Sequence, residues 1–147
     1  MHVTADVTML DGCTSAVVAE WAGEFRHCPA LVPDARAGAR RTLARLGWPG
    51  DVDDAVLVVS ELVTNSVLHA AEGGSLLLRL AVLADERLAI EVSDEGSAAV
   101  PDAPCVLPAV DAESGRGLFL VRALCADVSV QRTEHGKSVR ALLAGGR

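Results

Sequence analysis

The run ELVTNSVLHA, residues 61–70, carries Glu61, Asn65 and His69 four residues apart. Residues at that spacing lie along one face of a helix. Asn is a poor helix former, so its place in the row asks for a reason. An acid, an amide and an imidazole in line are either a solvated helix face or a set of groups that meets a ligand or an ion. Projection at about 100° per residue puts Ala55, Val59, Leu62, Val63 and Ala70 on a core stripe with Glu61 nearly opposite. Asn65 and His69 turn back toward the stripe, by about 40° and 80° from Glu61. Leu57, Val58 and Leu68 bracket the row, and a helix that is apolar on nearly all sides is usually buried. Buried polar groups need partners. Where the protein does not supply them, a ligand or an ion can. His69 alone is more often a satisfied core histidine than a ligand.

A second mark is RLAIEVSDEG, residues 87–96. Leu88, Ile90, Val92 and Asp94 point to one face of a strand, which puts a carboxylate at the rim of an apolar row, where it needs donors. Such a carboxylate suits an exocyclic amine such as that of adenine, and Gly96 allows close approach to the backbone. The plainer reading is a strand-end turn, where Asp and Gly are common. The third mark is SGRGLFLVRAL, residues 114–124, a glycine-rich turn running into a helix. Helix N-termini offer free N–H groups to phosphate, although Gly and Ser also precede helices that bind nothing. Between the two marks lies a stretch of about 20 residues without period. Loops longer than roughly 12–15 residues are uncommon in compact domains and are often lids.

The elements that must position these residues follow from periodicity and punctuation. Residues 1–14 show no clear period and read as an arm. Residues 15–25 read as a strand or a short helix, with strand favoured in their second half. Residues 32–48 and 51–71 are helices, the first bounded by Pro33-Asp34 and Gly47, the second opened by Asp51 and closed by Gly73-Gly74. Residues 75–83 and 87–93 form a hairpin, 117–126 a helix, and 127–133 and 138–144 a second hairpin. The fold class is α+β: a two-layer sandwich with helices on one face of a mostly antiparallel sheet.

The chain has 147 residues, the size of one domain; residues 15–147 read as that domain. Its net charge of −7 argues against direct nucleic-acid binding and against anionic membranes. The core must be aliphatic, since there are two Phe, two Trp and no Tyr. The four cysteines, Cys13, Cys28, Cys105 and Cys125, lack zinc-ligand spacing and read as buried reduced thiols. With no basic leader and no membrane-length apolar run, they suggest the cytoplasm.

Taken together, ELVTNSVLH, DEG 29 residues after Asn65, and GRGL after a lid-length gap resemble the nucleotide-binding boxes of the Bergerat-fold ATPases. Within that superfamily the chain resembles the small stand-alone branch, the bacterial anti-sigma factor serine/threonine kinases. ARAGARRTL one helix earlier and GKSV near the end add to it, and the resemblance covers roughly residues 19–144. It implies an ATP/ADP site with Mg²⁺. Asn65 is similar to the Mg²⁺-chelating asparagine, and Glu61 to the general base. His69 closes the first box. Asp94 is similar to the receiver of the adenine amine, with Gly96 beside it. Gly115, Arg116, Gly117 and Leu118 resemble the phosphate-cradling turn, and Ser138 a hydroxyl supporting adenine. Arg140 departs from the family, which often has Trp there.

The resemblance implies a protein kinase acting on a Ser or Thr of a STAS-type anti-anti-sigma partner. The alternative is an ATP-switched module that sequesters a sigma factor or other regulator with little turnover. A homodimer is left open.

Overall fold

The computed structural model describes residues 7–10, 13–26, 28, 30–69, 74–94, 121, 123–133 and 136–145. In chain order the elements are β1 (Val7–Leu10), β2 (Cys13–Arg26), α1 (Leu31–Leu46), α2 (Val52–His69), β3 (Ser75–Leu83), β4 (Leu88–Asp94), β5 (Asp127–Thr133) and β6 (Gly136–Leu143). Val121, Ala123 and Leu124 are also helical. They fall within the third expected helix, the rest of which lies outside the described residues. The strands form an antiparallel sheet in the order β1-β2-β3-β4-β6-β5. With the helices against one face of this sheet, the fold is the expected α+β sandwich.

The arm is not without regular structure. Leu10 pairs with Cys13 and Val7 with Ala16, so β1 folds back on the start of β2. The residues between them, Asp11-Gly12, are the dipeptide most favourable to a tight hairpin. β2 runs from Cys13, and its pairing with β3 shifts register between Val17 and Ala19.

α1 buries Leu31, Ala35, Gly38, Ala39, Thr42 and Leu43, the three-and-four spacing of one helical face. It ends at Gly47, whose φ of 71° lets its N–H reach the Leu43 carbonyl at 3.1 Å. α2 opens as expected, with Asp51 Oδ1 accepting from the Asp54 N–H at 3.1 Å.

Strand parity gives the sheet two faces. Leu76, Leu78, Leu80 and Val82, then Leu88, Ile90 and Val92, then Val139, Ala141 and Leu143 belong to the main core with the buried residues of α1 and α2. Val17, Ala81, Leu83, Ala89 and Leu142 form a separate buried cluster. Beside it runs a chain of ion pairs: Glu20 to Arg79 at 2.6 Å, Arg79 to Glu91 at 3.6 Å, and Glu91 to Arg140 at 3.6 Å. Arg140, where the family often has Trp, is therefore engaged away from the helices and leaves the helix-facing side unaltered.

The cysteine expectation needs correction: Cys28 is a free, exposed thiol and Cys125 a free, half-buried one. Burial pushes the Cys125 thiol up to about 11. At about pH 8, roughly one Cys125 in a thousand would be the reactive thiolate. Alkylation of the folded protein at that pH should therefore spare Cys125 while free cysteine added as a control reacts, as peptide mass mapping would show. Labelling as fast as the control would contradict the burial argument. No helix among the described residues is long and apolar enough to cross a membrane.

Candidate functional site

The site lies where the last turns of α2 meet the end of β4. Asn65 and Ser66 are buried on α2, with relative exposures of 6% and 4%, and Asp94 on β4 is buried at 5%. The Ser66 hydroxyl donates to Asp94 Oδ1. This gives the rim carboxylate a donor of the kind its apolar row requires. Asn65 Oδ1 is buried and has no hydrogen-bond partner among the described residues. Natural folds rarely leave such an atom unpaired, and an ion or ligand is one of the accepted reasons.

The amide row thus turns into the protein as projected. Glu61, one turn before Asn65, is only half-buried, while Leu57, a turn earlier, is exposed. The buried surface of α2 is wider than the projected stripe and takes in Val56, Val58 and Asn65 as well as Ala55, Val59, Leu62, Val63 and Ser66. His69 ends the helix; its side chain, like Gly96, Gly115, Arg116, Gly117, Leu118 and the lid stretch, lies outside the described residues.

Ser138 is placed differently from its expected role. It pairs with Ser93, so it shares the parity of Ser93 and Glu91 and stands on the opposite face of the sheet from Asp94. There its hydroxyl donates to Glu91 Oε2 at 2.8 Å and accepts from Ser93 Oγ at 3.2 Å. The support for adenine expected from Ser138 is therefore corrected, because successive strand residues point to opposite faces. Lys137 and Val139 have the helix-facing parity instead.

Two residues of the site escaped sequence reasoning. Ser66 projects only about 20° from Ala55, at the centre of the core stripe. A hydroxyl in that position was itself a signal that a partner waits across the interface. Gly136 opens β6 so close to β4 that a Cβ there would run into the Asp94 backbone carbonyl oxygen and lie 3.5 Å from Asp94 Cβ. Gly136→Ala should lower stability by about 1–3 kcal/mol, the usual cost of overpacking a tight contact. Urea denaturation would measure it, and an unchanged midpoint would show that the two strands part without cost.

A cavity of about 380 Å³ lies elsewhere, lined by Glu20, Trp21, Ala22, Thr42, Arg45, Leu46 and Arg79. It includes none of the residues that carry the chemistry, so the site is identified by its unpaired and paired polar atoms rather than by concavity.

Residues 25–143 match the histidine kinase-like ATPase domain. The chain belongs to that family. An ATP-binding domain with a kinase-like core is thus established in outline. The anti-sigma F factor of Clostridium acetobutylicum is 31% identical over 99 residues, covering 63% of this chain and 68% of that protein. The histidine kinase domain of a blue-light activated histidine kinase from Erythrobacter litoralis superposes with a TM-score of 0.53 at 27% identity, covering 64% of this chain and 44% of that one. The RsbU and RsbW domains of a Mycobacterium tuberculosis protein superpose with a TM-score of 0.65 over 91% of this chain. At 20% identity that likeness shows the fold alone, and this chain spans 34% of that structure.

Proposed function

We propose that this ATP-binding domain is an anti-sigma factor serine/threonine kinase that uses Mg–ATP to phosphorylate a STAS-type partner. The observation that carries the reading is the buried, unpaired Asn65 Oδ1 beside the Ser66–Asp94 pair. A hard oxygen donor with no partner among the described residues fits Mg²⁺, which is usually held by one or two protein oxygens with phosphates and water completing its shell. When bound, Mg²⁺ supplies neutralisation of phosphate charge. Asp94, an acceptor when ionised, receives the adenine amine. The proposed phosphate cradle is Gly115, Arg116, Gly117 and Leu118, with Gly96 against the base. Glu61 precedes Asn65 by one turn, about 6 Å along the axis. It orients the acceptor hydroxyl and takes up its proton.

The likeness to an anti-sigma F factor supports the partner class. The second reading is a sequestering module for a sigma factor, switched by ATP and nearly without turnover. A half-exposed Glu61 beside the proposed metal ligand favours transfer. The test is capture of a partner with and without Mg–ATP, followed by a phosphate-transfer assay using γ-labelled ATP. Label on a Ser or Thr of the captured partner supports the kinase. ATP-dependent capture without label supports sequestration instead.

A further inference from the structure

We propose that Ser66 is a positioning residue for base recognition: its hydroxyl holds Asp94 as an acceptor and so selects a purine with an exocyclic amine over one with an oxo group. The inference rests on the reading of Asp94 as the base-binding carboxylate. Its own support is the hydrogen bond from Ser66 Oγ to Asp94 Oδ1, made across the α2–β4 interface by two side chains that are each at least nine-tenths buried. A serine hydroxyl has one proton to give, and here it goes to the carboxylate. That fixes both the rotamer of Asp94 and the character of the oxygen that receives it.

Selectivity follows from hydrogen-bond inventory. A carboxylate held in the accepting state complements N–H and meets an oxo group with two facing acceptors. Without the Ser66 donor the carboxylate loses a hydrogen bond that orients it, and its match to an N–H donor weakens while an oxo group has no match to lose. Sites built around a buried hydrogen-bonding group reject ligands that leave it unpaired far better than apolar sites reject by shape. Ser66 lies inside α2, in its last turn, where serine has no intrinsic advantage as a helix former, so its place is explained by what it donates to. Gly136 lets β6 approach the Asp94 backbone closely, which sets the strand end from which this side chain projects.

The experiment is calorimetric titration of the full chain with Mg–ATP and Mg–inosine triphosphate. The second nucleotide carries an oxo group in place of the adenine amine. Three variants are compared with the wild type: Ser66→Ala, Ser66→Cys, which keeps nearly the same volume with a much weaker donor, and Ser66→Thr, which keeps the hydroxyl. The wild type should prefer ATP. Ser66→Ala and Ser66→Cys should each lose about tenfold in ATP affinity, the cost of one hydrogen bond to a charged group. Their affinity for inosine triphosphate should change by less than about twofold, and Ser66→Thr should restore the preference. Equal loss for both nucleotides would mean that Ser66 only packs. Unchanged ATP affinity in the Ala and Cys variants, or an inert threonine, would also overturn the proposal. A wild type that binds neither nucleotide would remove the nucleotide reading itself, and this inference with it.

Discussion

Replacing Glu61 by alanine is expected to slow phosphate transfer by at least about 100-fold while ATP affinity stays within about a factor of two. A positioned general base contributes typically 10²–10⁴-fold in rate, or about 2.7–5.5 kcal/mol of barrier. The separation of rate from affinity follows from where the side chain stands. Glu61 is half-buried on α2, a turn away from Asn65, on the part of the helix that turns out of the core. In the proposed site it would stand near the phosphates without being required to hold them. Single-turnover transfer with the captured partner, beside calorimetry with ATP alone, measures the two quantities separately. Full turnover in the variant would dismiss Glu61 as the base. A matching fall in affinity and rate would make it a binding group.

The second large effect belongs to Asn65, and here function and stability should move apart. Asn65→Ala should lose at least about 100-fold in Mg-dependent ATP affinity. Loss of a mere supporting partner of a metal ligand already costs about 10–100-fold, and Asn65 is the proposed ligand. The nucleotide-free variant should be as stable as the wild type or more so. The oxygen removed is buried and has no partner among the described residues, and deleting an unsatisfied buried polar atom relieves a desolvation cost. A functional group whose removal stabilises the fold is a known trade-off. Thermal unfolding without nucleotide reads the stability half of the prediction. A variant that melts well below the wild type and binds Mg–ATP normally would make Asn65 a structural residue and leave the metal unassigned.

Much of this architecture was legible in the chain itself. Period two in SLLLRLAVL and RLAIEVS, a capping Asp51 and a terminating Gly47 fix their elements locally, because each rests on backbone geometry within a few residues. The boundaries of α2, β3, β4 and β5 fall within a residue or two of those expected. The strand pattern also placed Asp94 on the buried, helix-facing side, since a carboxylate continuing an apolar row has one plausible side to face.

What the sequence could not decide are matters of contact between elements remote in the chain. That Ser66 meets Asp94 depends on the crossing of α2 over β4, 28 positions away. The glycine at 136 matters because β6 is drawn against β4, a pairing that no local signal encodes. Motif likeness assigned Ser138 to the base, whereas the register of β6 on β4 turned it to the far face and gave its hydroxyl to Glu91. β1 was missed for a different reason: its Asp-Gly signal was present, but a four-residue strand has too little period of its own and exists by pairing with β2. Local chemistry determined which residues could act and which elements carry them. Strand register and helix crossing, set by burial of the shared core, decided which of them face one another.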